Sequence, residues 1–545
     1  MQGKPRLTEE NLAQTEESSM YKRHNGQTSL FEQPEFFGGL PLNPKNEWVI
    51  LAKMLPWDTI EERYLQTFQA KRMGQPAINA RMVIGSQIIK SWYNISDERV
   101  VAEIAMNPYL QFFLGLTEYQ YECPFDASNM SRFRKRITPE LMTWLNDLII
   151  GYLNPEEKQI EPSDEDKNDN NDGQIDPSDE SEKDNNDGQE EKNENEGTLI
   201  LDATCIPQDI RFPTDVSLLN EARLDAEAII DVFHKQGFTD GRKPRTYRQK
   251  AKKQYNSFSK QRKKTRKSIR KATGQQLRYL RRDLNHIRKI LEKHPEALRF
   301  LTKRQYRNLL VIQEVYRQQE EMYQNNTHQI DHRIVSISQP WIRPIVRGKQ
   351  SADVEFGAKV EMSVHNGYLR LEWLSWEAFN ESTTLKASVE HYRKVYGHYP
   401  ERVLADKIFR TRENRRFCKK HNIHLNGPKL GRKPADPEVY KKQLQEEWRE
   451  SGERGEIERD FGVGKRRYSL GCLMTRLQHT SEVFFLTTVL VMNLRKKLRL
   501  LLRSFYQCFV SMCFALCCVL QIFLWLTCAE VTMYGSDENK NNLSS

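Results

Sequence analysis

Residues 155–197 hold eighteen Asp and Glu against four Lys, with hardly an apolar side chain among them. Part of the stretch is written twice: Pro162-Ser-Asp-Glu-Asp-Lys-Asn-Asp-Asn-Asn-Asp-Gly-Gln174 returns, slightly altered, as Pro177-Ser-Asp-Glu-Ser-Glu-Lys-Asp-Asn-Asn-Asp-Gly-Gln189. With nothing to bury, such a segment gains nothing to offset the entropy of ordering its backbone, and its like charges repel. Residues 154–197 are therefore expected to be a disordered, self-repelling linker between domains. The Asp/Asn/Gly content resembles a calcium loop only superficially, because the ligand spacing and the closing Glu do not fit. The chain has 545 residues, length enough for about two to four domains and at least one large core.

The acidic segment hides how basic the rest is. The net charge is +10 overall, so taking away this segment's eighteen acids and four lysines leaves about +24 on the remainder. A charge of that size favours a polyanionic partner, since each neutralised phosphate releases condensed counterions. Nucleic acid is the leading candidate and an anionic membrane surface the second. Cys123, Cys205, Cys418 and Cys472 are isolated, with no zinc or disulfide spacing, and five more crowd into 508–528. That usage suits a reducing compartment, and the polar N-terminus gives no secretory signal, so the expectation is cytoplasmic. The tail 501–545 is the exception. Phe505 to Ala529 is apolar or uncharged and long enough to cross a bilayer, and Arg495, Lys496, Lys497, Arg499 and Arg503 precede it. Membrane contact by this tail competes with a buried or self-associating terminal helix.

Residues 1–47 read as a flexible arm and 48–153 as a compact helical domain. Ser96-Asp97-Glu98 and Thr138-Pro139-Glu140 are helix starts. Between them, Asp126 to Arg136 reads as a short helix capped by Ser128. Its Arg132, Arg134 and Arg136 suit entry into a DNA major groove. A basic surface helix without a groove to fill is the plainer alternative. Order returns at Thr198, where Leu199–Ile206 has the length and composition of a buried strand. Residues 219–335 are helical and, between Arg242 and Lys293, very basic. There Leu277, Leu280, Leu284, Ile287 and Leu291 keep a helical period that leaves the other face for phosphates, Arg262, Lys263 and Lys264 among them. Glu355–Val364 and Tyr368–Leu374 are strands joined by a hairpin at His365-Asn366-Gly367. Arg402–Ala405 is a further strand, and the helices around Glu458 and over Glu482–Leu494 come last.

Three acids stand out on this layout. Asp202 interrupts the apolar strand, where an unpaired charge costs several kcal/mol and needs a reason. Asp406 lies just past the strand at 402–405, where open α/β sheets expose functional groups. Glu458 follows Arg454 by four residues and precedes Lys465 by seven, one stripe if the segment is helical. Such a stripe is usually a solvated helix face, but with the two aspartates it suits a metal held against a phosphate. Magnesium or manganese, bound by the three carboxylates, activates an attacking oxygen and stabilises a leaving one in phosphodiester chemistry.

The carrying stretches are Leu201–Asp215, Ala405–Arg415 and Ile457–Leu470, with Phe356–Glu361 and Gly427–Arg432 in support. On these, residues 48 to 500 resemble a bacterial insertion-sequence transposase of the DDE class. The resemblance implies an α/β fold with a ribonuclease H-like mixed sheet, here over 198–500 and carrying the helical insertion 219–335. It also implies an all-α DNA-binding domain ahead of it, and Asp202, Asp406 and Glu458 as catalytic metal ligands for Mg2+ or Mn2+. DNA partners, as terminal inverted repeats and target, follow from the same likeness. Arg454, Lys465 and Arg466 are the expected phosphate contacts, in an active complex that is a homodimer or larger. Related transposases carry a Tyr three residues before the arginine of the glutamate helix, where this chain has Ser451, and Gly462 and Gly464 weaken the helix before Lys465. The alternatives are a nuclease or resolvase on the same fold, and a DNA-binding protein with a repurposed core.

Overall fold

The computed structural model describes residues 36–37, 40–67, 78–151, 195–346, 354–428, 431–434, 436–504 and 507. The expectations for residues 1–35, for the acidic segment as far as 194, and for the apolar tail apart from residue 507 lie outside the described residues. The chain divides into two compact units: Met1–Ile89 with Asp97–Ala127 and Leu490–Ser545, and Lys90–Ser96 with Ser128–Val489.

The first unit is helical. After a two-residue hairpin, β1 (Phe36–Phe37) and β2 (Leu40–Pro41), come α1 (Glu47–Met54), α2 (Trp57–Leu65), α3 (Ala80–Tyr93, as far as Ile89), α4 (Asp97–Met106) and α5 (Pro108–Phe113). Trp48 and Trp57 both meet the ring of Phe113 edge-on, at 4.9 and 5.5 Å between centroids. A buried edge-to-face cluster of this kind adds to the hydrophobic term. Arg81 reaches from α3 to the end of α5, where its guanidinium donates to Phe113 O at 2.8 Å and Phe112 O at 2.9 Å. The last carbonyls of a helix lack partners one turn on, so the arginine adds to the Leu114 and Gly115 N–H groups on Phe112 O in closing the C-terminus.

In the second unit, α6 (Ala127–Arg136) and α7 (Pro139–Ile150) precede a six-stranded sheet. Its strands are β3 (Thr198–Pro207), β4 (Arg343–Val346), β5 (Val354–His365), β6 (Tyr368–Ser375), β7 (Arg402–Leu404) and β8 (His424–Leu425). The order β4-β5-β3-β7-β8 puts β3 in the middle, antiparallel to β5 and parallel to β7, which is parallel to β8. β4 pairs with the first residues of β5 and β6 with the rest, so the two share one edge end to end. The hairpin between β5 and β6 turns at Asn366 and Gly367, with φ of 50° and 77°, the left-handed pair that a two-residue loop requires. At the other end of β5, a Cβ added to Gly357 would lie 2.0 Å from Ile206 O and 2.8 Å from Pro207 Cα.

Leu199 and Leu201 point to one face of β3, where α12 (Leu385–Tyr396) and α13 (Arg412–Lys420) cover them with Leu385, Val389 and Cys418. α14 (Pro437–Arg467) packs its buried Ile457 on the sheet, and residues 478–504 form the last described helix, α15, which belongs to this unit as far as Val489. Among the described residues no helix is long and apolar enough to cross a membrane.

The insertion between β3 and β4 is built from α8 (Asp215–Lys235), α9 (Arg248–Ser259), α10 (Arg266–Lys293) and α11 (Lys303–Gln324). Leu277, Leu280 and Ile287 are buried as their spacing predicts, with Leu284 and Leu291 packed beside them. The same interior holds charge. The fully buried Arg223 is bridged to the buried Glu227, and Asp283 is fully buried with neither carboxylate oxygen hydrogen-bonded. Burial, reinforced by the Glu227 carboxylate, pushes Asp283 up to about 8.

The two compact units divide the chain at places other than residue 153. α6 and α7 belong with the sheet, because Arg370 on β6 donates to both oxygens of Asp147 on α7, at 2.9 and 3.1 Å, and Asn146 donates to Leu369 O at 3.2 Å. The described residues on both sides of the acidic segment therefore lie in one unit. α6 also starts at Ala127, which puts Ser128 in its first turn and not at its cap.

Gly357→Ala should lower Tm by several degrees, because two backbones must part to admit one methyl, an overpacking cost of about 1–3 kcal/mol. An unchanged melting curve would show that the close approach of β3 and β5 relaxes freely. Asp283 holds its proton more tightly folded than unfolded, so its contribution to stability falls as pH rises from about 4 through about 8. The limiting slope is about 1.4 kcal/mol per pH unit. Asp283→Asn should flatten that part of the pH–Tm profile; a slope like that of the unsubstituted chain would place its source elsewhere.

Candidate active site

β7 pairs with β3 only as far as Ile200↔Leu404, and Asp202 stands two residues beyond that last pair. On the far side β5 continues, with Met362 opposite Asp202. The strand is thus held on one side and open on the other at the acid, the crevice in which open α/β sheets bind ligands. Asp406 stands two residues beyond Leu404, so the two aspartates leave adjacent parallel strands at matching levels.

Side chains alternate along β3, so Asp202 and Thr204 share the face opposite to Leu199 and Leu201. α14 supplies what meets them. Arg454 Nη1 lies 3.7 Å from Asp202 Oδ2, and its Nη2 lies 2.9 Å from Glu458 Oε1. Lys465, eleven residues along the helix, donates to Thr204 Oγ1 at 2.8 Å. The helix runs unbroken through Gly462 and Gly464, because Gly464 is buried and tertiary packing outweighs propensity.

Asp202 is only 16% exposed and also accepts from the Ala203 N–H at 2.9 Å. Burial pushes its carboxyl up to about 6, against the pull of that N–H and of Arg454, while Glu458 and Glu381 push the same way as burial. Glu458 is more than half exposed. Asp406 is exposed, and its Oδ1 accepts from the Lys407 N–H at 2.7 Å to cap a short 3-10 turn, Lys407–Phe409. Asp202 and Glu458 therefore share one guanidinium, and Asp406 follows the neighbouring strand at the level of Asp202. Among the described residues no three His, Cys, Asp or Glu side chains already form a group that could hold a metal ion. All three of these acids are carboxylates, a chemistry that suits hard divalent cations, and two of them face solvent.

Two further acids carry no role in the sequence reading. Glu361 on β5 is fully buried, where the hydroxyls of Thr384 and Ser388 donate to it, the latter at 3.1 Å. Burial pushes it up to about 7. Glu381 lies 2.8 Å from Lys359 Nζ and is near enough to act on Asp202. The signal for Glu361 was present: an acid inside the run Lys359-Val-Glu-Met-Ser-Val364 is as anomalous as Asp202 inside its own strand.

The other expected contacts lie apart from this cluster. Arg132 and Arg136 are exposed on α6, whereas Arg134 is half-buried and lines a cleft of about 650 Å3 with Lys90, Lys135 and Arg476. Arg262, Lys263 and Lys264 are exposed in the turn between α9 and α10. Arg466 is exposed and folds back to donate to Gly462 O at 3.2 Å.

Known proteins resemble two stretches of this chain. Residues 403–495, which hold Asp406 and Glu458, match the family described as Transposase DDE domain; residues 40–136 match a second family described as Transposase domain. A curated relative, the uncharacterized protein ORF8 in the nfe locus of Rhizobium meliloti, is 38% identical over 99 residues, 18% of this chain and 47% of the relative. The chain thus spans just under half the length of the curated relative it matches. No solved structure matches it.

Proposed function

We propose that the chain is an insertion-sequence transposase that cuts and rejoins DNA strands with Asp202, Asp406 and Glu458 as its catalytic carboxylates. The observation that carries this reading is the meeting of Asp202 and Glu458 on Arg454, beside Asp406 on the neighbouring strand. β5 and β6 lie one after the other on one side of the central β3, each antiparallel to its neighbour, and the two short parallel strands β7 and β8 lie on the other, which gives the order β6-β5-β3-β7-β8 expected of a ribonuclease H-like sheet, with β4 as an addition.

Asp202, Asp406 and Glu458 would hold Mg2+ or Mn2+, which when bound would supply the charge that activates an attacking oxygen and stabilises the leaving one. Asp202 is held rigidly by the central strand, so it fixes the position of the site. Glu458 and Asp406 face solvent and would have to turn inward to complete the set around it. Arg454 neutralises the two acids between which it lies, and a scissile phosphate gives that cation a second anion to bind. Lys465, at Thr204, extends positive charge along the face on which a strand of DNA would lie. Arg132 and Arg136 on α6 and the Arg262-Lys-Lys264 turn offer phosphate or base contacts outside the site. Terminal inverted repeats and target DNA are the partners on this reading, in a cytoplasmic complex of two or more copies.

Asp202→Asn should abolish cleavage and joining while leaving DNA affinity nearly unchanged, since it removes a metal ligand and no phosphate contact. The loss should exceed the roughly 10–100-fold typical of outer-shell changes around a metal. Mapping nicks and joined products on the element's own ends with Mg2+ is the assay; full activity in the variant would sink the proposal, and cuts without joining would favour a nuclease. Mn2+ affinity should also fall as pH drops through about 6, because protons then compete for Asp202. Calorimetric titration that finds the same affinity on both sides of that pH would remove Asp202 from the ligand set.

Neutralising Arg262, Lys263 and Lys264 together should reduce the slope of log K against log salt by about two to three, at about 0.9 per lost phosphate contact. An unchanged slope would leave the turn as a solvated surface.

A further inference from the structure

α13 carries a row of cations that no acid in the described protein neutralises. Its inward side is fixed by Asn414, Phe417 and Cys418. Asn414 and Cys418 are buried, and Phe417 packs on the same core as Cys418. The Asn414 amide donates to Ser382 O at 2.7 Å and to Phe409 O at 2.8 Å. Arg412, Arg416 and Lys419, at offsets of four and seven, then share the opposite side of the helix. All three are exposed, and Lys420, also exposed, lies one turn beyond Arg416. Exposed arginines on other helices are matched by acids: Arg317 by Glu314 and Glu321, Arg449 by Glu446 and Glu453. Among the described residues Arg412, Arg416 and Lys419 have no such partner. The single acid on α13, Glu413, is held by Lys386 of α12. Like charges one turn apart destabilise a helix, so the row stays costly until an anion covers it.

Placement ties this row to the candidate active site. α13 begins six residues after Asp406 and joins β7 to the parallel β8, so it runs back against the strand direction. Its first turn, with Arg412, therefore lies at the end of the sheet where Asp406 leaves β7. The helix covers the sheet face of Leu199 and Leu201, whereas Arg454 and Lys465 meet the face of Asp202 and Thr204. The two aspartates thus stand at an edge from which cations lead away on both faces.

We propose that Arg412, Arg416 and Lys419 form a second phosphate track, which holds the DNA duplex leading away from Asp406 on the sheet face opposite that of Arg454 and Lys465. The row spans seven residues, about 10.5 Å of helix, and so covers about three phosphates of one strand at about 3.4 Å of duplex axis each. Charges set on a rigid helix meet a regular backbone without being ordered first, and they carry no base preference. Where the DNA is cut rests on the transposase reading, but the test below uses neither metal nor cleavage, so either can fail alone.

Fluorescence anisotropy of a labelled duplex of arbitrary sequence, titrated with the full chain over a salt series without metal, reads these contacts. Arg412→Gln, Arg416→Gln and Lys419→Gln together should reduce the slope of log K against log salt by about two to three, at about 0.9 per lost contact. Arg317→Gln with Arg449→Gln should leave the slope unchanged, because those charges are already matched. The triple variant should melt no lower than the unsubstituted chain, since the side chains replaced are exposed and repel one another. Arg416→Cys carrying an aryl azide should cross-link to the duplex on illumination, above the level of the unsubstituted chain treated alike. Vesicles containing phosphatidylserine test the other polyanion. An unchanged slope in the triple variant, an equal fall per charge in the Arg317 and Arg449 control, no added cross-link, or loss of vesicle binding with DNA binding intact would overturn the proposal.

Discussion

The guanidinium of Arg454 holds two acids that would otherwise repel each other. Asp202 is withdrawn from water at the end of the central strand, at a cost that grows with burial. Glu458 comes from a helix more than two hundred residues later and adds a second negative charge to the same place. A single planar cation that reaches both lowers this cost, and it can do so only if α14 lies along the face of β3 carrying Asp202 and Thr204. Lys465 at Thr204 and buried Ile457 fix that placement from the same helix. The helix, the strand and the site are therefore one constraint met in three places.

What could be read from the sequence was whatever had a short period or an anomalous residue. The strands at 198–207, 354–365 and 368–375 announced themselves by β-formers and by Asn366-Gly367, and the face of α10 by its leucine spacing. Asp202 was legible because a charge in an apolar strand needs an explanation. The pairing partners were not legible. β4 and β8 are four and two residues long, too short for a periodic signal, and they exist because a neighbouring edge was available. That α7 belongs to the sheet depends on Asp147 meeting Arg370 across more than two hundred residues, which no local pattern records. Glu361 was missed although its strand carried the same anomaly as Asp202.

The insertion keeps an expensive interior. Arg223 and Glu227 are paired one turn apart on α8, but Asp283 enters the same packed region from α10 without a hydrogen bond of its own. A buried pair with all its needs met can define how helices seat against each other, whereas an unmatched acid makes that seating sensitive to its proton. The basic turn at Arg262 is carried on this four-helix piece, so the firmness of its core governs how steadily the turn is presented.

The acidic repeat begins after α7 and ends before β3, and both belong to one compact unit. The chain between them therefore leaves and re-enters one unit. For a chain closing on a fixed body, the entropy lost grows only with the logarithm of its length, so each doubling costs about 0.6 kcal/mol. Gaining or losing one copy of the repeat would change that by a few tenths of a kcal/mol. The position is one where a coding sequence can stutter, adding or dropping a unit, at almost no thermodynamic penalty to the protein around it.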